Sequence, residues 1–167
     1  MPNNTLHLVK AKGEDIQEIA RLAHIVWHQH YPDIIGSDQI DYMLEMMYSE
    51  KSLNEQMNIK GHTFYFVRQS DKNIGFISVS KIEEMDSGYF IHKFYLDQTL
   101  SGKGNGTEAY HELVKILKPS KLSLTVNRQN FKSINFYFKN GFKIESVADF
   151  DIGNGYVMND FVMVWHQ

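Results

Sequence analysis

Gly102, Gly104 and Gly106 alternate with Lys103 and Asn105 in the stretch FYLDQTLSGKGNGTEAY, residues 94–110. A glycine-rich turn of this kind exposes backbone N–H groups with no side chain in the way. If a helix opens there, its first N–H donors and partial positive charge add to them, and the result suits phosphate oxygens. The spacing names an anion site and leaves its ligand open. A Walker loop needs a Lys-Ser/Thr pair, and none follows Gly106. The dinucleotide fingerprint matches only in its alanine variant, at Gly104, Gly106 and Ala109, mid-chain and without a clear βαβ unit or an acidic residue ending a second strand. A second group, His24, His28 and His30 in HIVWHQH, puts two imidazoles one helical turn apart, a spacing that can bind a metal. No neighbouring carboxylate completes a ligand set, so no metal is expected. With no cysteine in the chain, a disulfide scaffold, a thiolate zinc site and a cysteine nucleophile are excluded.

The glycine turn needs a strand before it and a helix after it. Phe90–Leu96 reads as that strand. The helix continues through Glu108, Tyr110, Leu113, Val114 and Leu117. Upstream, Leu6–Val9 reads as a short strand. A helix starts at Gly13-Glu14-Asp15, carries Ile16, Ile19, Ala20, Ala23, Val26 and Trp27 at helical spacing, and closes at Pro32. A second helix has Ser37 or Asp38 as its expected N-cap, with Ile40, Met43, Leu44 and Met47 on its apolar face and Asp38, Asp41 and Glu45 on the wet one. A third amphipathic piece runs from Leu53 to Ile59. Thr63–Arg68 and Ile74–Val79 read as a hairpin about the turn Asp71-Lys72-Asn73. After the central helix come a strand at Leu122–Val126, a helix at Ser133–Lys139 stopped by Asn140-Gly141, and strands at Phe142–Val147 and Val157–Trp165 joined by the polar DFDIGNG segment. This order predicts an α/β fold, a mixed central sheet of about seven strands with helices on both faces.

The chain has 167 residues, 43% hydrophobic and 22% charged, which suits one domain spanning residues 1–167. A net charge of −3 does not favour a general nucleic-acid binder and tolerates cationic partners better than anionic ones. The first residues form no signal peptide, and no stretch has the length of a transmembrane helix. A cytoplasmic location is the default expectation, with no membrane partner. A homodimer stays open.

Phe94-Tyr95-Leu96, Ser101-Gly102-Lys103-Gly104-Asn105-Gly106 and the run from Asn127 through Asn130, Ser133, Ile134, Tyr137 and Lys139 to Gly141-Phe142 resemble the GNAT superfamily of acyl-CoA-dependent N-acetyltransferases. The family's motif Q/R-x-x-G-x-G/A places its glycines on Gly104 and Gly106, with Ser101 where Gln or Arg is usual. The resemblance covers residues 63–165 well and the N-terminal helices less specifically.

Acetyl-CoA is the co-substrate that this resemblance implies. Phe94 and Leu96 would pair with its pantetheine arm as an added strand. A backbone N–H near Tyr95 would polarise the thioester carbonyl. The amides of Gly102, Lys103, Gly104, Asn105, Gly106 and Thr107 would hold the pyrophosphate. Asn130 would hydrogen-bond the pantetheine with Ser133 nearby, and Tyr137 would protonate the leaving thiolate. The segments HKFYLD, QIDYMLEMM and GYVMNDFVM look like bacterial acetyltransferases of polyamines and related small amines. The expected acceptor is therefore a small cationic amine, with Trp27, His28 and Tyr31 on the polar–aromatic rim of its pocket. His92 shares a strand face with Phe94 and is the candidate general base, because histidine titrates near neutrality. Without a cysteine to carry the acyl group, direct attack in a ternary complex is expected. Two alternatives stand beside this: a non-catalytic acyl-CoA-binding module, and an acetyltransferase acting on a protein N-terminus.

Overall fold

The computed structural model describes residues 5–100 and 104–167. Its strands are β1 (Leu6–Lys10), β2 (Thr63–Gln69), β3 (Lys72–Lys81), β4 (Gly88–Leu96), β5 (Lys121–Asn127), β6 (Lys143–Gly153) and β7 (Tyr156–His166). Its helices are α1 (Ile16–His30), α2 (Ser37–Tyr48), α3 (Glu50–Asn58), α4 (Asn105–Leu117) and α5 (Phe131–Lys139). The strands form one seven-stranded sheet in the order β1-β2-β3-β4-β5-β7-β6. The sheet is mixed, because β4 and β5 run parallel while β1–β2, β2–β3, β5–β7 and β6–β7 are antiparallel. By its internal contacts the chain divides into two compact units, Met1–Ser80 with Lys93–Lys118, and Lys81–His92 with Pro119–Gln167.

In the first unit, a 3-10 turn at Gly13–Asp15 leads into α1. The Asp15 carboxylate accepts the Lys12 N–H at 2.8 Å, which satisfies one donor that the helix start leaves over. Ile16, Ile19, Leu22, Ala23, Val26 and Trp27 make the buried stripe of α1. Ile40, Met43, Leu44 and Tyr48 do the same for α2. The α2 cap falls on Gly36, one residue before the expected Ser37, and no side chain caps it. Helix α3 starts at Glu50, earlier than expected, because Ser49 Oγ accepts the Ser52 N–H at 3.2 Å. The three helices pack on one another, and α4 packs on β1.

Gly75 shows why β3 carries a glycine in an apolar run. A Cβ there would run into the Tyr95 carbonyl oxygen and lie 2.7 Å from Leu96 Cδ2. No side chain fits between the two strands at that point.

In the second unit, β5 buries Leu122, Leu124 and Val126 in strict alternation. Helix α5 covers its own apolar side with Ile134 and Tyr137, and it starts at Phe131 rather than Ser133 because Asn130 caps it. The polar DFDIGNG segment is the largest departure from expectation. Five of its residues do not form a loop: β6 runs on through Gly153, and β7 starts at Tyr156. Only Asn154 and Gly155 turn, at φ +54° and +77°, the conformation of a tight two-residue hairpin. Residues on β6 are exposed almost throughout, so its alternation carries little hydrophobic signal. Among the described residues, no helix is long and apolar enough to cross a membrane.

Candidate active site

In the first unit, Phe94, Tyr95 and Leu96 end β4 in half-buried positions. Asp97 follows, giving its N–H to the Ile74 carbonyl at 2.7 Å. The C-terminal end of α1 grips this segment. Gln29 Nε2 donates to Asp97 Oδ1 at 2.8 Å, and its Oε1 accepts the Gln98 N–H at 2.8 Å. His30 Nε2 lies 3.2 Å from the Leu96 carbonyl oxygen. The Tyr31 and Tyr95 hydroxyls meet at 2.8 Å. Burial pushes the Asp97 carboxyl up, but hydrogen bonds from Gln29 and Thr99 outweigh it and hold the group below its ordinary value. Sequence reasoning gave Gln29 no role and did not tie His30 to the end of β4. Their signal is the side chain–backbone pairing between segments far apart in sequence, which spacing does not report.

The glycine turn is described from Gly104 onward, so Gly102 and Lys103 lie outside the described residues. Gly104 holds φ +89° and caps α4, a conformation that glycine adopts without penalty. The first helical bond runs from the Glu108 N–H to the Gly104 carbonyl at 3.0 Å. The N–H groups of Asn105, Gly106 and Thr107 precede it and are the leftover donors of the helix start. The Asn105 and Gln69 side-chain amides pair reciprocally, at 3.4 and 3.3 Å, and tie this turn to β2.

The acceptor-side residues separate by burial. Trp27 is 1% exposed and gives its indole N–H to the Tyr48 hydroxyl at 3.2 Å. With Tyr31, Tyr48, Phe76 and Tyr95 it forms an aromatic cluster, the Trp27 and Tyr31 rings 4.4 Å apart. Trp27 and Tyr31 are therefore core rather than open rim, and of the three only His28 is exposed. His28 Nδ1 lies 2.7 Å from the His24 carbonyl, and its Nε2 is 3.9 Å from Asp41. Asp38, Asp41 and Glu45 are exposed, as expected.

Sequence reasoning passed over Lys93. It is 4% exposed. Its Nζ donates to Gln56 Oε1 at 2.7 Å and stands over the Tyr48 and Phe64 rings at 5.5 and 5.4 Å. No carboxylate pairs with it among the described residues. Burial first, and the Lys60 charge second, push its pKa down to about 7. Burial together with Lys93 and Lys60 lowers the His62 imidazole to about 4.

In the second unit, β4 pairs with β5 from Gly88↔Lys121 to Ile91↔Leu124. His92 follows that paired stretch, half-buried, its ring 4.7 Å from Phe90. Asn130 is buried, and its Oδ1 accepts the Ser133 N–H at 3.3 Å, capping α5. Tyr137 is buried edge-on against Phe136 and Phe142, each at 5.3 Å. Asp160, which carried no expectation, is 5% exposed, and its Oδ1 has no hydrogen-bond partner among the described residues. Burial pushes its pKa up to about 6, against a Thr125 hydrogen bond and the Arg128 charge.

The chain matches the acetyltransferase (GNAT) family over residues 18–142. It is 28% identical to the spermidine N(1)-acetyltransferase of Thermoplasma acidophilum over 154 residues, covering 88% of this chain and 94% of that protein. Among solved structures, the PaiA N-acetyltransferase of Thermoplasma acidophilum in complex with coenzyme A is 26% identical, with a TM-score of 0.79 over 98% of this chain and 99% of that one. A GCN5-related N-acetyltransferase of Rhodopseudomonas palustris shares the fold at 17% identity, with a TM-score of 0.78 over 100% of this chain and 99% of that one.

Proposed function

The chain belongs to the GNAT family of acetyl-CoA-dependent N-acetyltransferases, and from that premise we propose that it acetylates a small cationic amine such as a polyamine. The match to a spermidine acetyltransferase along most of both chains carries this reading. The net charge of −3 and the exposed Asp38, Asp41 and Glu45 on α2 support it, because they favour approach of a cation. The family match spans both compact units, which supports reading residues 1–167 as one acetyltransferase domain.

The residues present suit acetyl-CoA. The end of β4 offers backbone groups at Phe94 and Leu96 for the pantetheine amides. Gly104 and the first N–H donors of α4 suit phosphate oxygens. In the proposed reaction, His92 takes the proton of the acceptor ammonium, directly or through water. The freed amine nitrogen attacks the thioester carbonyl, whose oxygen is polarised by a backbone N–H near Tyr95. The tetrahedral intermediate collapses with breaking of the C–S bond, Tyr137 gives its proton to the departing thiolate, and the second proton lost by the attacking nitrogen restores the tyrosine as the neutral amide forms. No acyl group rests on the protein, consistent with a chain that has no cysteine. Asn130 and Ser133 are assigned to the pantetheine. His28 is assigned to the acceptor surface, and Trp27 and Tyr31 support it from the core.

Thiol release from acetyl-CoA tests this reading. The panel is spermidine, spermine, diamines, amino sugars, amino acids and short peptides. Polyamines should give the highest kcat/KM. Turnover of peptides with none of polyamines would refute the acceptor assignment.

A further inference from the structure

In the first unit, the chain leaving β1 and the chain leaving α3 meet at the start of β2. Ala11 gives its N–H to the Phe64 carbonyl at 2.8 Å, and His62 gives its N–H to the Gln56 carbonyl at 2.9 Å. Around this junction lies a cavity of about 280 Å³, the small end of the range for ligand pockets. Its walls carry charge of one sign. Lys10 and Lys12 line it together with His62. Lys93 Nζ stands behind the wall, 5.4 Å from the centre of the Phe64 ring. Among the described residues no carboxylate lines the cavity, and no ion pair engages Lys10, Lys12 or the neighbouring Lys60. Glu14 and Asp15 are the nearest acids along the chain, and the Asp15 carboxylate is turned to the Lys12 N–H. The end of α3 borders the cavity with partial negative charge. Its Glu55 carbonyl is covered by the Ile59 and Lys60 N–H groups, and its Gln56 carbonyl by His62. His62 registers the field that results. Burial first, then the Lys93 and Lys60 charges, hold its imidazole at about 4, so this hollow resists a further cation in a chain of net charge −3.

We propose that this cavity binds a small phosphate dianion, as the free ion or as a monoester. Lysine ammonium groups are compact charges that suit a tetrahedral phosphate, whereas a planar carboxylate is held best by an arginine fork. No arginine lines the cavity among the described residues. Asn58 gives one amide proton to Asn54 Oδ1 at 3.4 Å and keeps a second, and Thr63 adds a hydroxyl. Met57 and Phe64 give the same cavity an apolar wall, which the carbon part of a monoester would cover. None of these residues is assigned to acetyl-CoA or to the amine, so the site does not rest on the acetyltransferase reading.

Sulfate tests the charge on the full chain, because it stays a dianion in mild acid. At about pH 5 the ring nitrogen resonances of His62 should report a largely neutral imidazole in chloride. In sulfate of equal ionic strength they should report a largely protonated one, since an opposite charge close by raises such a pKa by about 1–3. Lys10→Gln with Lys12→Gln, both at exposed positions, should abolish that response. The same pair should weaken inorganic phosphate, followed at neutral pH through the same resonances, by about tenfold or more. Lys132→Gln with Lys143→Gln, exposed lysines of the second unit, should change neither result. A His62 that responds alike to chloride and sulfate overturns the proposal. So does a response that survives the loss of Lys10 and Lys12, or one that the Lys132 and Lys143 pair removes equally. Glycerol phosphate beside inorganic phosphate identifies the source: tighter binding of the ester assigns the cavity to a monoester, and otherwise to the free ion. Succinate binding more tightly than both overturns the phosphate assignment. Coenzyme A affinity of the Lys10 and Lys12 double variant should match wild type by calorimetry. A tenfold loss there would put the coenzyme's own phosphates in this cavity and overturn it as a separate site.

Discussion

A single hydroxyl and a single amine carry the sharpest consequences. Tyr137→Phe keeps the ring against Phe136 and Phe142 and removes only the group assigned to protonate the thiolate. A thiolate is a tolerable leaving group, so kcat should fall by roughly 10²-fold, the usual scale for losing a general acid. Acetyl-CoA affinity should change little, because the contact strengthens only in the transition state. Steady-state kinetics beside calorimetry check both. Lys93 bears on stability instead. Between about 7 and 10.5 the unfolded lysine keeps a proton that the folded one has released. The unfolded state binds more protons across that window, so stability climbs with pH there. Urea unfolding over a pH series should show the rise in the wild type and lose it in Lys93→Met. Lys93 was not legible in the sequence, because its partner Gln56 lies on another element and nothing in HKFYLD marks that lysine as buried. The run that holds Asn130 and Tyr137 could be singled out because its motif is local, set by one loop and one helix.

At the level of elements, the strands and helices with an apolar stripe were readable, and those without one were not. The stripe of α1 and the alternation of β5 are set by what each element buries. The far half of β6 buries almost nothing, so polar residues there read as a loop although Asn154-Gly155 announces a tight turn. The start of α5 was misplaced for a related reason: Phe131 is exposed, and the capping atom belongs to the residue before it. Gly75 gives the test at this scale. Gly75→Ala puts a methyl group onto the Tyr95 carbonyl, and backbone cannot swing aside as a side chain can. It should cost about 3 kcal/mol, the upper end of ordinary overpacking. It should also depress activity in the fraction that stays folded, since the displaced residues are those assigned to the thioester. Chemical denaturation and the thiol-release assay report the two effects separately.

For the whole molecule, the seven-stranded mixed sheet follows from the order of elements, whereas the pairing order β5-β7-β6 depends on long-range contacts that no local pattern encodes. Charge acts at this scale too. Neutralising Asp38, Asp41 and Glu45 together, as Asn, Asn and Gln, takes the chain's formal charge from −3 to zero by removing three negative charges. KM for spermidine should rise several-fold while KM for acetyl-CoA stays put. Added salt should erode the wild-type advantage, since exposed charges are screened beyond a Debye length of about 8 Å at physiological ionic strength. An unchanged spermidine KM in the triple variant would remove α2 from acceptor attraction. Among the described residues the sheet also ends at β6, which pairs with β7 on one side only. In an antiparallel pair, alternate residues send their amides to the partner, so deuterium should label β6 in a one-in, one-out rhythm. The register shifts between Ile144 and Ser146 and between Asp151 and Gly153 should each break that rhythm. An exchange map of residues 143–153 would therefore locate both bulges in solution, with no need of a crystal.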